Sequence, residues 1–194
     1  MFMLWAIPLG IAVGLLAGGR LEALSTLRFR WGWVALAGLL IQVALFTPAG
    51  DALTGGLGPA IYVASTFAVF VAVVRNLSIP GMALVALGSI SNLPAITANG
   101  GFMPADPAAL ATAGLDGPGS HTNSVVLENP ALQPLTDIFA IPAGLPFANV
   151  FSIGDVLLGV GIVVVIARAM RRSVPAEDGA TPADAPVVEA APRA

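Results

Sequence analysis

Asn92, Asn99, Asp137 and Asp155 interrupt stretches of sequence that are otherwise apolar. An acid or amide in such surroundings loses its hydration and must gain a partner. Polar residues inside a membrane segment often mark substrate or ion paths. Asn92 and Asn99 are seven residues apart, which places them on one face if a single helix carries both. Pro94 lies between them, offers no N–H to the carbonyl of Ile90, and predicts a kink or break. Broken helices with exposed amides and carbonyls are one way in which transporters build a binding site. Asn92, Asn99, Gly100, Gly101, Asp137 and Asp155 therefore form the candidate ligand-binding set. The competing reading is structural: Asn92 ties its helix to a neighbour, and Asn99-Gly100-Gly101 simply turns the chain.

The two acids differ in their local context. Ser152-Ile153-Gly154-Asp155 has the spacing of a capping box with Asp in place of Glu or Gln, so capping accounts for Asp155. Asp137 sits in the apolar run Leu135–Ile141 and is expected to be buried against Asn99 or the Gly100-Gly101 amides. The single histidine, His121, lies in a Gly/Ser/Asn-rich turn and reads as an exposed loop residue. No nucleophile stands beside a base, so no covalent catalysis is indicated. One histidine and no cysteine leave neither a metal site nor a cofactor to expect within the chain. No catalytic residue is assigned.

These side chains belong to a chain of 194 residues that is 57% hydrophobic and only 10% charged, with mean hydropathy +0.89. Soluble domains carry about 25% charged residues. Such a chain exposes more apolar surface than a soluble core can hide, and the lipid bilayer is its natural solvent and first partner. Five stretches approach the roughly 17–25 residues a spanning helix needs. They run from Met1 to Gly18, Trp31 to Phe46, Leu57 to Val74, Leu77 to Ala98 and Ser152 to Met170. The fold expected is an all-α membrane protein: five transmembrane helices with an outer segment, residues 99–151, packed over the bundle. Gly10, Gly14 and Gly18 give the first stretch a small-residue face for close helix packing. Gln42 in the second stretch reads as a helix–helix hydrogen bond.

All basic residues are arginines, and their placement sets an orientation. Arg20, Arg28 and Arg30 lie between the first two stretches, Arg75 between the third and fourth, and Arg168, Arg171 and Arg172 after the fifth. With five spans all seven fall on one side, so the positive-inside rule puts the C-terminus in the cytoplasm and the N-terminus outside. No basic residue precedes the first apolar run, so that run reads as an anchor rather than a cleaved signal. Leu21–Arg30 reads equally as an interfacial helix, with Leu21, Leu24 and Leu27 toward lipid and Arg20, Arg28 and Arg30 at phospholipid headgroups, or as a solvated loop whose arginines only fix topology. Trp31 and Trp33 fit the inner interface, Trp5 and Tyr62 the outer one. Residues 1–172 hold equal numbers of acids and arginines, so the net charge of −3 comes from residues 173–194, read as a disordered cytoplasmic tail. There is no basic patch for nucleic acid.

The outer segment contains one clear local signal. Asp106-Pro107 followed by Ala108–Ala113 and Gly114 predicts a short helix with Asp106 as N-cap and Gly114 as its stop.

Three blocks carry a resemblance: Gly18-Gly19-Arg20-Leu21, Asn99-Gly100-Gly101-Phe102-Met103-Pro104 and Phe151-Ser152-Ile153-Gly154-Asp155. In this order they resemble an uncharacterised family of small bacterial polytopic membrane proteins, domain of unknown function 5317, over about residues 1–172. The resemblance implies a polytopic membrane protein and supplies no reaction, substrate or cofactor. The family often has a basic residue where Phe102 stands and glycine where Thr136 stands; these departures weaken any charge-based role for the loop.

The role expected is a non-catalytic accessory or scaffold subunit of a membrane complex, with a membrane-protein partner or a second copy of the chain. The alternative is small-molecule or ion binding and transport at the outer end of the broken fourth span. A lipid-acting membrane enzyme has the least support.

Overall fold

The computed structural model describes residues 5–45, 47–54, 56–115 and 124–172. His121, the tail 173–194 and residues 1–4 of the first stretch lie outside them. The described chain is mostly helical. Five apolar helices fall inside the five apolar stretches: α1 (Ala6–Leu16), α2 (Gly32–Leu45), α4 (Gly58–Val74), α5 (Met82–Ala98) and α7 (Ile153–Met170). Two short helices, α3 (Pro48–Thr54) and α6 (Pro107–Ala113), lie between them.

The helices form a row in the order α1–α7–α5–α4–α2. Glycines make several of the approaches. A Cβ on Gly10 would lie 3.0 Å from Ile166 Cβ, and one on Gly14 would strike Met170, so α1 and α7 run parallel. Gly81 opposes Gly161 and Gly88 opposes Gly154, so α5 and α7 run antiparallel. Gly38 of α2 packs on Val69 of α4, and four residues further on Gln42 Nε2 donates to Thr66 Oγ1 at 3.3 Å, so α2 and α4 are antiparallel as well. The chain thus passes back and forth, with α1, α4 and α7 pointing one way. The main core, Val73, Ile79, Met82, Val85, Ala86 and Val165, sits where α4, α5 and α7 meet. Only small residues of the edge helices are buried: Ala6, Gly10 and Gly14 of α1, and Gly38 of α2. Leu9, Leu16, Leu36, Leu40 and Val43 remain exposed.

Two expectations about the helices change. By length and composition, α7 alone among the described helices is long and apolar enough to cross a membrane without help from its flanks, with 18 residues at mean hydropathy 2.1; the other four apolar helices have 11 to 17 residues. The fourth stretch is shortened because residues 77–81 turn, ending at Gly81 with φ +99°, where its backbone meets Gly161 of α7. Nor is α5 broken: it runs unbroken through Pro94, whose ring is on an exposed face while Ala95 and Ile96 are buried. Loss of one intrahelical bond at Ile90 is tolerated because the opposite face of α5 is held along its length by α7.

The end of the row formed by the start of α4, the end of α5 and the start of α7 carries a small cap. Strand β1 (Met103–Pro104) pairs in parallel with β2 (Ser124–Val125), and β3 (Phe139–Ile141) pairs antiparallel with β4 (Asn149–Phe151). α6 has the expected ends: Asp106 Oδ1 accepts from the N–H groups of Ala108 and Ala109, and Gly114 is left-handed at φ +69°. Ala105, Ala109, Ala113 and Val150 form the cap's own core. Met103 joins Tyr62, Ala95 and Ile96 in a cluster that seats the cap on α4 and α5. Tyr62 is buried there, not placed in an interfacial belt, because the cap covers it.

Candidate functional site

The candidate ligand-binding residues divide into three separate places. Asn92 and Asp155 meet at the junction of α5 and α7. Asn92 Nδ2 donates to Asp155 Oδ1 at 3.0 Å, and Ser152 Oγ donates to Asn92 Oδ1 at 2.9 Å. The capping box closes on the same atoms: the Asp155 N–H donates to Ser152 Oγ at 3.1 Å, and the Ser152 N–H to Asp155 Oδ2 at 3.1 Å. A helix N-terminus favours this carboxylate through its unpaired amides. The network fixes the angle at which α7 leaves the cap, and it works as a tie between helices.

Asn99 does a different job. Its Nδ2 donates to Ala95 O at 2.7 Å and Ala131 O at 2.9 Å, and its Oδ1 accepts from the Ala131 N–H at 2.9 Å. The side chain thereby holds the backbone of the 128–132 turn as a neighbouring strand would. Gly100 and Gly101 are left-handed, at φ +72° and +90°. Their N–H groups donate to Thr97 O and Ile96 O and end α5. A Cβ on Gly101 would lie 2.6 Å from Pro59, so this position also lets the chain pass close to α4.

The Asp137 backbone pairs with the segment that leads into α6: the Asp137 N–H donates to Pro104 O at 2.9 Å, and the Asp106 N–H to Asp137 O at 3.0 Å. Asp137 is 6% exposed. Among the described residues no three His, Asp or Glu side chains gather as a metal site.

Asn99→Ala is expected to release the 128–132 turn while leaving the helical row in place. Three bonds of about 1 kcal/mol each are lost, partly replaced by water, so destabilisation of about 2 kcal/mol is expected. Faster amide exchange confined to residues near Ala131 is the measurement that checks it.

The opposite end of the row gathers the arginines. Residues 20–31 cross it as a strap. The Arg20 N–H donates to Met170 O at 2.8 Å, which ties the strap to the end of α7. Leu21–Thr26 is a 3-10 turn rather than the interfacial α-helix expected, with Ala23 buried. Leu27 packs against the main core, so it does not face outward with Leu21. At the far end Asn76, 4% exposed, clamps Arg30: the Arg30 N–H donates to Asn76 Oδ1 at 2.8 Å, and Asn76 Nδ2 donates to Arg30 O at 2.7 Å. Asn76 Nδ2 also donates to Ala72 O at 2.7 Å. The Arg75 guanidinium lies over the Trp31 ring, 4.9 Å from its centroid. Arg20 and Glu22 form an exposed ion pair at 3.7 Å, of little energetic weight.

The glycine series of α1 ends one residue off the expected spacing. Gly18 lies past the helix at φ +76° with open space around it. Gly19 makes the close approach instead, a Cβ there falling 2.8 Å from Met170 Cβ. Two features were not singled out in the sequence. The pairs Gly81/Gly88 and Gly154/Gly161 repeat at seven residues, a legible two-turn spacing that sets the α5–α7 contact. Asn76, a lone amide in a turn, gives no local signal at all.

Fold and site together define a mostly helical chain: a row of five apolar helices between an arginine-bearing strap and a small mixed cap. The chain belongs to the family of unknown function DUF5317, whose profile matches residues 26–167. The match contains the Asn99–Pro104 and Phe151–Asp155 blocks and begins after Gly18–Leu21. No curated protein and no solved structure gives a significant match.

Proposed function

We propose that this protein is a multi-pass protein of the bacterial cytoplasmic membrane with five spans, its N-terminus outside and its C-terminus in the cytoplasm. Its role is that of a non-catalytic accessory or scaffold subunit of a larger membrane complex. The observation that carries this reading is the state of the two edge helices. α1 and α2 turn glycine and alanine toward the row and large apolar side chains away from it. Exposed apolar surface on that scale calls for lipid or a partner protein to cover it. At 1.5 Å per residue, the 17 residues of α4 and α5 rise about 25 Å, close to the roughly 30 Å hydrocarbon core, with flanking residues completing the crossing. The alternation of helix directions supports an odd number of passes.

The accessory role is supported by where the polar groups go. Asn92, Ser152 and Asp155 bond to one another, and Asn99 bonds to backbone. These side chains hold the fold by bonding to one another and to backbone, which weighs against the ligand-transport reading. Purification of the tagged protein in mild detergent, with mass spectrometry of all that accompanies it, tests the role. A stoichiometric membrane-protein partner is the expected result. A solitary protein carrying one specific small molecule would overturn the subunit reading in favour of binding or transport.

A further inference from the structure

The charges of this protein are segregated end from end. The strap end holds Arg20, Arg28, Arg30, Arg75, Arg168, Arg171 and Arg172, all exposed, against Glu22 alone. The other acids of the described residues, Asp51, Asp106, Glu128, Asp137 and Asp155, belong to the cap end. Those arginines come from three separate parts of the sequence, and the fold spends specific bonds to unite them. Arg20 is tied to Met170, Arg30 to the buried Asn76, and Arg75 to Trp31.

Large apolar side chains stand among these cations. Trp33 is 74% exposed, and Phe29 and Trp31 are about half exposed. Trp31 is also held at φ +56°, a left-handed backbone conformation unfavourable for a bulky residue. Such strain persists where the surroundings over-determine it, typically at ligand clamps and other functional positions. Here the Asn76 clamp fixes the preceding residue and Arg75 covers the ring. The result is a rigid cationic and aromatic surface at the level where the apolar flanks of the helices end.

We infer that the strap Arg20–Trp31, with Arg75 and the arginines that end α7, is a docking surface for anionic phospholipid headgroups. The inference rests on the membrane reading above and goes beyond it: the arginines select lipid charge in the folded protein, in addition to setting orientation during insertion. Charge complementarity chooses the occupant. A diester phosphate accepts from guanidinium N–H groups, the glycerol and upper acyl region meets Phe29, Trp31 and Trp33, and a zwitterionic headgroup would bring its own cation against seven others.

Tryptophan fluorescence tests this directly. In a Trp5→Phe background, Trp31 and Trp33 are the reporters, both in or beside the strap. The full-length protein is reconstituted in mixed vesicles of phosphatidylglycerol and phosphatidylcholine, with one or the other brominated near the carbonyl end of its acyl chains. Brominated phosphatidylglycerol is expected to quench at a mole fraction about fivefold lower or more, since each basic residue near an anionic surface contributes about that factor. Arg28→Gln with Arg30→Gln, the two arginines nearest the reporters in sequence, is expected to lower the preference measurably, and the lysine pair at the same positions to keep it. Equal quenching by the two lipids overturns the inference and leaves the membrane reading standing. Quenching by neither removes both. The comparison of lipids on the protein with its arginines intact decides the matter even where a variant fails to fold.

Discussion

Gly154→Val is expected to separate α7 from α5 and prevent the row from assembling. A Cβ at Gly154 would fall on the Asn92 side chain, 2.6 Å from its Cγ, and 2.9 Å from Gly88 O. Neither neighbour can withdraw. Gly88 O is backbone in the middle of α5, and Asn92 is fixed by Asp155 and Ser152. Two turns along, Gly81 and Gly161 repeat the arrangement, so α7 cannot rock about one contact to make room. Overpacking of this kind destabilises by about 1–3 kcal/mol. Losing the Asn92 bonds adds to it, so about 3 kcal/mol or more is expected. Gly144→Ala is the matched control, because nothing lies within 4 Å of its Cβ position; a change within about 0.5 kcal/mol is expected there. Reversible denaturation in detergent micelles measures both. An unchanged midpoint for Gly154→Val would mean that α5 and α7 do not meet through these glycines.

The second large effect is expected from Asn76→Ala, which detaches the strap. The side chain makes three bonds, to Arg30 N–H, Arg30 O and Ala72 O, at 2.7–2.8 Å. At about 1 kcal/mol each, and with the Arg30 backbone able to turn to water, a loss of about 2–3 kcal/mol is expected. The local consequence should be larger than the global one. Trp31 loses the fixed neighbour that holds its left-handed backbone, and residues 28–31 swing free. Trypsin reads this, since Arg28 and Arg30 become far better substrates once the backbone is released. Asn76→Asp keeps an acceptor for the Arg30 N–H but no donor for Arg30 O, so intermediate cleavage is expected. Trypsin sensitivity equal to that of the unsubstituted protein would show that the strap is held by something other than Asn76.

The features legible in the sequence are those set by neighbours within a few residues. Ser152 and Asp155 are three apart and cap α7; Asp106, Pro107 and Gly114 bound α6; the apolar runs become the five long helices. What was not legible depends on partners far along the chain. Asn92 is as polar as Asn99 in the sequence, yet one bonds to α7 and the other to the 131 turn, 32 residues on. The burial of Tyr62 follows from the cap built some 40 residues later, which no local pattern announces. Pro94 predicts a break from sequence alone, but its effect depends on which face it occupies, and the exposed face leaves the α7 contact intact. Asp137 belongs to the same class. A buried acid in an apolar run looks like a site, and its backbone role beside Pro104 and Asp106 is visible only once the cap is folded.

The most direct test of the account is the side of the membrane on which each end of the row lies. The absence of native cysteine makes single introduced cysteines unambiguous reporters. Ser25→Cys marks the strap, Glu128→Cys the cap, and Leu40→Cys the middle of α2, all at exposed positions. A membrane-impermeant maleimide is applied to intact cells and then to opened ones. The account predicts labelling of Cys at position 128 in intact cells, of Cys at position 25 only after opening, and of Cys at position 40 in neither. Labelling of positions 25 and 128 from the same side, or ready labelling of position 40 from water, would contradict a row of helices that crosses the bilayer.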